Sequence, residues 1–68
     1  MAKLKDLLRF LHAHGWEEDR RESSHRVWRH SDGRRIVIAA HESQELSRAK
    51  LSKILKDAGF SLDDFFSW

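Results

Sequence analysis

The stretch ESSHRVWRH, residues 22–30, brings a histidine, a tryptophan and several cations together in a segment expected to form a β-strand. His25 is the residue best suited to chemistry, because a histidine side chain exchanges a proton near neutral pH. Arginines such as Arg26 and Arg29 neutralise phosphate, and a tryptophan such as Trp28 stacks on nucleobases. Tryptophan and arginine also dominate protein interfaces, and a lone histidine is most often structural. The stretch therefore predicts either an RNA-contacting site or a protein-binding surface.

Positive charge is concentrated around this stretch. The chain has 68 residues with a formal net charge of +2, and 35% of its residues are charged. Six arginines fall between residues 20 and 35: Arg20, Arg21, Arg26, Arg29, Arg34 and Arg35. A local basic run in a nearly neutral protein predicts an anion-binding face. Arginines on an exposed strand can also serve only to prevent aggregation, and this alternative stays open.

Composition excludes several classes of protein. The chain has no cysteine, which rules out a disulfide framework and a thiolate zinc site. No apolar run approaches the roughly 20 residues of a membrane span, and the N-terminus lacks the hydrophobic region of a signal peptide. We therefore expect a cytoplasmic protein without membrane contact. A chain this short builds one core, so we expect a single domain over residues 1–68 that needs no metal or cofactor.

Two helices are expected to frame the stretch. A helix over residues 3–14 is predicted by an apolar stripe at helical spacing, Leu4, Leu7, Leu8 and Leu11. A second helix over residues 48–58 is predicted by Leu51, Ile54, Leu55 and Ala58. Ser47 is the expected N-cap of the second helix, and Gly15 and Gly59 are the expected stops.

Three strands and a short tail complete the predicted fold. The strands are expected over residues 16–21, 26–31 and 34–40, with Asp32 and Gly33 as a two-residue hairpin turn. A capping box at Ser61 and Asp64 predicts a helical turn over residues 62–66. The tail aromatics are expected to fold back onto the body or to await a partner. The order predicts an α+β fold, α-β-β-β-α, with two helices on one face of a three-stranded antiparallel sheet.

A two-residue turn fixes which face each strand residue occupies. This register pairs His25 with Ala40 and Trp28 with Val37. The face predicted to lie beneath the helices carries His25, Val27, Ile36, Ile38 and Ala40. The face predicted to be open carries Arg26, Trp28, His30, Arg35 and Val37. Trp28 is therefore expected to be exposed in the free chain, and a one-residue bulge at the turn would exchange the faces.

Together these motifs resemble the HicA family, small mRNA-interferase toxins of bacterial type II toxin–antitoxin systems with a fold like the double-stranded-RNA-binding domain. The resemblance covers essentially the whole chain. It is carried by HGW at 14–16, SSHRVWRHSDGRRIVI at 23–38, His41 and LSKILKDAGFSLDDF at 51–65. The middle motif of the family is Gly-Ser-His followed by an aromatic residue, a histidine and an Asp-Gly turn. Here Ser23 stands in place of the glycine, and Ala49 and Lys50 replace a common Gly-Thr pair.

The resemblance implies that His25 is the catalytic histidine of a ribosome-independent, metal-independent endoribonuclease that cleaves mRNA and inhibits translation and growth. His25 would act as base or acid while the RNA 2′-hydroxyl attacks its own phosphodiester. The residues expected to bind RNA are Ser24, Arg26, Trp28, Arg29 and Lys50. The resemblance also implies a HicB-type antitoxin that covers the active face, and we expect the free toxin to be a monomer. The alternative is a non-catalytic RNA-binding or protein-interaction module on the same fold.

Overall fold

The computed structural model describes residues 2–23, 25–41 and 44–68. The elements are α1 (Leu4–Ala13), β1 (Trp16–Glu22), β2 (His25–His30), β3 (Arg35–Ala39), α2 (Arg48–Asp57) and α3 (Leu62–Phe66). The strands form an antiparallel sheet in the order β1-β2-β3, with β2 at its centre. The predicted α+β class and α-β-β-β-α order are confirmed. Within the described residues, no helix combines the length and the apolar character that a membrane span requires.

Local capping chemistry explains where the helices begin and end. The Ser47 hydroxyl accepts a hydrogen bond from the backbone N–H of Lys50 at 3.1 Å, which caps α2. Ser61 and Asp64 form the reciprocal capping box that opens α3. Gly15 follows α1 with a φ of 92°, and a β-carbon there would lie 2.8 Å from the Nε2 atom of His30. Both the backbone conformation and the available space therefore require glycine at this stop.

The hydrophobic core lies between the helices and one face of the sheet. The buried side chains from the helices include Leu4, Leu7, Phe10, Leu11, Leu51, Ile54 and Leu55, and those from the sheet include Trp16, Trp28, Ile36 and Ile38. The tail folds back onto this core through Phe65, which is 8% exposed. Phe66 and Trp68 remain 59% and 58% exposed. The expectation that the tail packs on the body is thus met by Phe65, and by the partly buried Phe60 and Leu62, which pack against the core.

The register of the β2–β3 hairpin differs from the prediction by one residue. The backbone N–H of His30 donates to the carbonyl oxygen of Arg34 at 2.9 Å, which leaves a three-residue loop over 31–33. Gly33 ends this loop with a φ of 99°, the left-handed conformation that a three-residue hairpin loop needs. Trp28 consequently lies opposite Ile36 in β3.

This shift exchanges the two faces of β2. Trp28 is 7% exposed and Arg26 is 6% exposed, both on the face that the helices cover. His25 is exposed on the open face, together with the half-buried Val27. His30 pairs with the fully buried Trp16 and so also lies on the covered face. The predicted positions of these five residues are therefore wrong. The faces of β3 are as predicted, because Ile36 and Ile38 are buried and Val37 is 61% exposed.

Candidate catalytic face of the sheet

The open face of the sheet carries the candidate catalytic histidine. Residues that pair directly across antiparallel strands project to the same side, so the register gives the composition of this face. Its three rows are Glu22, His25 and Ala39 at one end, Arg20, Val27 and Val37 in the middle, and Glu17, Arg29 and Arg35 at the other end. The face thus combines a titratable end, an apolar centre and a cationic end.

A bulge in β1 determines which residue faces His25. The pairing shifts between Glu18 and Arg20, so that Asp19 has no partner in β2. The extra residue places Glu22 opposite His25, whereas an unbroken register would place Arg21 there. The bulge therefore sets a carboxylate, and not a guanidinium, beside the histidine.

His25 lies between an acidic and a basic neighbour. Opposed side chains on antiparallel strands have β-carbons about 4.5–5.5 Å apart, so Glu22 and His25 are neighbours on this face, although no ion pair joins the two side chains in the described part of the chain. Glu22 also forms an exposed ion pair with Arg20 at 3.7 Å. On the other side, the Lys50 ammonium donates to the carbonyl oxygen of Ala39 at 2.6 Å, and Ala39 is the partner of His25 in β3. This end of the face thus places a carboxylate and an ammonium group near the histidine.

Two arginines form the cationic end of the face. Arg29 and Arg35 are exposed and lie directly opposite each other. Within the described part of the chain neither forms an ion pair. Like charges at opposed positions are unfavourable, so a bound anion would stabilise this pair. The four residue steps from His25 to Arg29 span about 13 Å of extended strand, which separates the two ends.

The structure brings together only some of the predicted RNA-binding residues. Arg29 lies on the open face, and Lys50 reaches its edge through Ala39. Arg26 does not join them, because its Nη1 atom donates to Glu18 Oε1 at 3.1 Å on the covered face. Trp28 is in the core and has no surface on which a base could stack. Ser24 lies outside the described residues.

Sequence reasoning missed Glu22 as a member of this site. The residue comes directly before Ser23 and lies directly opposite His25. Recognising that β1 continues to Glu22 would have paired the two residues. The prediction ended β1 one residue earlier, because a purely charged strand gives no hydropathy signal for its end.

Two further residues of the basic motif hold the fold together. The Nδ1 atom of His30 accepts a hydrogen bond from the Asp32 backbone N–H at 3.1 Å. Because a neutral histidine ring has one acceptor and one donor nitrogen, its Nε2–H donates to the His14 carbonyl oxygen at 3.1 Å. Arg34 donates to the Ala58 carbonyl at 3.2 Å, and its guanidinium lies 5.3 Å from the ring centroid of Trp16. The Arg34 backbone N–H bonded to Asp32 lowers the pKa of the Asp32 carboxyl. These contacts tie the hairpin to the C-terminal ends of both helices and leave both side chains engaged within the fold.

Among residues 2–23, 25–41 and 44–68, no three His, Cys, Asp or Glu side chains are grouped so that they could hold a metal ion. The groups at the open face that are suited to chemistry are His25, Glu22 and the cations around them.

Comparison with known proteins identifies the family. The model of the HicA toxin of bacterial toxin–antitoxin systems matches residues 4–60 of the 68-residue chain. The matched range runs from the start of α1 to beyond the end of α2 and includes His25. No curated protein matches the sequence significantly. Because the family model spans most of the chain, the chain belongs to the HicA family of toxins of bacterial toxin–antitoxin systems.

Proposed function

We propose that this HicA-family toxin is a metal-independent endoribonuclease that acts on cytoplasmic mRNA with His25 as its catalytic histidine. The observation that carries the proposal is the position of His25 on the open face, between Glu22 and the Lys50 side chain. A histidine in the core could not reach a substrate, whereas this one is exposed. Cleavage of RNA is the reaction that such a face supports best.

The proposed reaction is attack of a ribose 2′-hydroxyl on the adjacent phosphodiester. The 2′-oxygen forms a bond to phosphorus, the bond to the 5′-oxygen breaks, and the products are a 2′,3′-cyclic phosphate and a 5′-hydroxyl. One group must take the 2′-hydroxyl proton and another must protonate the leaving 5′-oxygen. His25 fills one of these roles, and Glu22, its partner across β1 and β2, is the candidate for the other.

The cations around His25 have separate tasks in this mechanism. Lys50 is held at the end of the face by its bond to Ala39 and is suited to the negative charge that develops on the phosphorane oxygens. Arg29 and Arg35, about 13 Å further along the strands, are suited to a neighbouring backbone phosphate. Each of these side chains neutralises charge, so they bind RNA without reading its sequence.

A protein antitoxin is proposed to inhibit the toxin by covering the same face. Val37 is 61% exposed and lies opposite Val27, which makes an apolar centre between the titratable and cationic ends. Apolar surface surrounded by charged groups is typical of a protein-binding patch. A HicB-type antitoxin seated there would block access to His25.

A cleavage assay with a matched rescue tests the proposal. The purified chain is incubated in EDTA with a labelled single-stranded RNA and with the same RNA carrying 2′-deoxyribose throughout. We expect cleavage of the first substrate only, with a cyclic phosphate end. His25→Ala should reduce the rate by about 10²–10⁴-fold, the usual contribution of a general acid or base. Added imidazole should restore part of that rate.

Circular dichroism of the same His25→Ala preparation controls for folding, since an exposed side chain contributes little to stability. Cleavage by His25→Ala at the wild-type rate would contradict the catalytic assignment. RNA binding without any cleavage by the wild-type chain would instead support the alternative, a non-catalytic RNA-binding module.

A further inference from the structure

The covered side of the sheet contains a second basic feature, a cleft between α1 and strands β1 and β2. Its volume is about 350 Å³, and it is lined by Lys5, Leu8, Arg9, His12, Glu18, Arg21, Arg26 and Trp28. Four of these side chains are permanently cationic, and one is a carboxylate. A concave site with this excess of positive charge concentrates anions.

The outer wall of the cleft is a cationic stripe on α1. Lys5, Arg9 and His12 follow one another at i, i+4 and i+7, so they share one face of the helix. All three are exposed. In the described part of the chain, the Lys5 and Arg9 side chains form no ion pair. Their charges are therefore available to a ligand.

The inner wall holds a buried and incompletely neutralised arginine. Arg26 is 6% exposed, and its Nη1 atom donates to Glu18 Oε1 at 3.1 Å. The same carboxylate accepts from Arg21 Nη2 at 3.2 Å. One carboxylate thus serves two guanidinium groups, although a buried charge is costly unless it is well paired. An anion in the cleft would supply the missing negative charge and accept from the remaining guanidinium N–H groups.

The lining favours a phosphate over a protein side chain. Leu8 and Trp28, the apolar lining residues, are only 8% and 7% exposed. A docked protein segment would need an apolar anchor, and these two side chains offer little surface for one; the rest of the lining is charged groups, their methylene stems and His12. Recognition in the cleft is therefore ionic, and arginine forks match the oxygens of a phosphate group.

We propose that this cleft binds a backbone phosphate of the RNA at a second site, separate from His25. The inference rests on the proposed function and extends it. Arg26 follows His25 in β2 and projects to the opposite face, so the two sites lie back to back at one end of the sheet. An RNA strand that passes around the edge strand β1 meets Arg20 on the open side and Arg21 on the cleft side. The toxin would thus hold a longer RNA on both faces.

Binding of a non-cleavable RNA tests this second site. The affinity of a 2′-O-methyl oligonucleotide is measured against salt concentration for the wild type and for Lys5→Ala/Arg9→Ala. The matched control, Arg48→Ala/Lys56→Ala, removes the same two charges from exposed positions on α2. Each lost phosphate contact should lower the slope of log affinity against log salt by about 0.7. We expect this loss for the α1 variant and not for the control, with both variants folded by circular dichroism.

The side-chain Nε–H signals of Arg9, Arg21 and Arg26 in NMR spectra of the wild type provide a direct readout. Shifts caused by the oligonucleotide support the proposal. Shifts caused by an oligoglutamate peptide but not by RNA would overturn it in favour of an acidic protein partner, and shifts with inorganic phosphate alone would reduce it to a small-anion site.

Equal salt slopes for the two variants, with RNA cleavage intact, would overturn this inference alone. Absence of cleavage with the slope difference retained would overturn only the nuclease assignment.

Discussion

The backbone N–H of His30 donates to the carbonyl oxygen of Arg34 at 2.9 Å, and this one bond decides which face of the sheet each residue of β2 occupies. It closes a three-residue loop, so that Trp28 lies opposite Ile36 beneath the helices. His25 then projects to the open face, where substrate and antitoxin can both reach it. The accessibility of the candidate catalytic residue therefore depends on the length of a turn at the other end of its strand.

The register predicts opposite outcomes for two substitutions in neighbouring strands. Trp28→Ala removes a side chain that is 7% exposed, and we expect a loss of about 3–5 kcal/mol, comparable with the whole stability of a chain this small. Val37→Ala, at a position that is 61% exposed, should change stability by only about 0.5 kcal/mol. Urea unfolding followed by circular dichroism measures both. A mild effect at Trp28 with a severe one at Val37 would contradict the register.

Helices were predictable because their signals are local. The leucine stripe of α1 and the Ser47 cap of α2 act within one or two turns of chain, so each end is placed to within one residue. The hairpin was harder, since an Asp-Gly pair fits either a two-residue turn or a three-residue loop. The choice depends on burial across the whole strand. Covering Trp28 instead of Val27 removes more apolar surface from water, and this preference is not visible at the turn itself.

The composition of the site was less predictable than the fold. The position of Glu22 opposite His25 requires the bulge at Asp19, and a bulge shows only once the partner strand is aligned. Arg26 was predicted to bind phosphate because the two-residue turn put it on the open face. Alternation along β2 instead turns it toward Glu18. Consecutive residues of a strand project to opposite faces of the sheet, so cations that follow one another in the sequence do not form a single basic surface.

Salt dependence should distinguish arginines of the open face from other cations. Arg29→Ala removes an exposed guanidinium beside Arg35, and we expect the slope of log affinity for single-stranded RNA against log salt to fall by about 0.7. Lys56→Ala on α2 serves as the charge-matched control. Fluorescence anisotropy of a labelled oligonucleotide provides the affinities. An equal change in both variants would mean that only net charge matters.

Replacing Ser23 with the glycine that the family usually has should make the folded chain more stable. Its φ of 56° lies in the left-handed region, where a side chain costs about 1–2 kcal/mol. Part of that gain is lost to the greater freedom of glycine in the unfolded chain, so Ser23→Gly should add about 0.5–1 kcal/mol to the unfolding free energy. Ser23→Ala keeps a β-carbon and should give no gain. Thermal unfolding compares the two, and equal melting temperatures would contradict the strain.

Acidification should remove the contribution of Asp32 to stability. The Arg34 backbone N–H lowers the pKa of this carboxyl from its ordinary value of 3.8, so the folded chain favours the ionised form. A lowered pKa stabilises the fold above the ordinary value, and this stabilisation is lost as the pH falls through the lowered one. The stability difference between wild type and Asp32→Asn should therefore be constant near neutrality and shrink below about pH 4. Urea titrations between pH 7 and pH 2.5 measure it, and a difference that grows on acidification would contradict the assignment.

Replacement of Glu22 tests whether it shares proton transfer with His25. Glu22→Gln preserves the size of an exposed side chain that is opposite His25, so the fold and the RNA affinity should change little. We expect the single-turnover cleavage rate to fall by about 100-fold, at the lower end for loss of an acid or base. The dependence of the rate on pH should also lose one of its two limbs, because a glutamine cannot accept or release a proton. Glu17→Gln changes the same charge at the far end of the same face and should cleave at close to the wild-type rate. If both variants keep the wild-type rate and both limbs, water and not Glu22 completes the proton transfer.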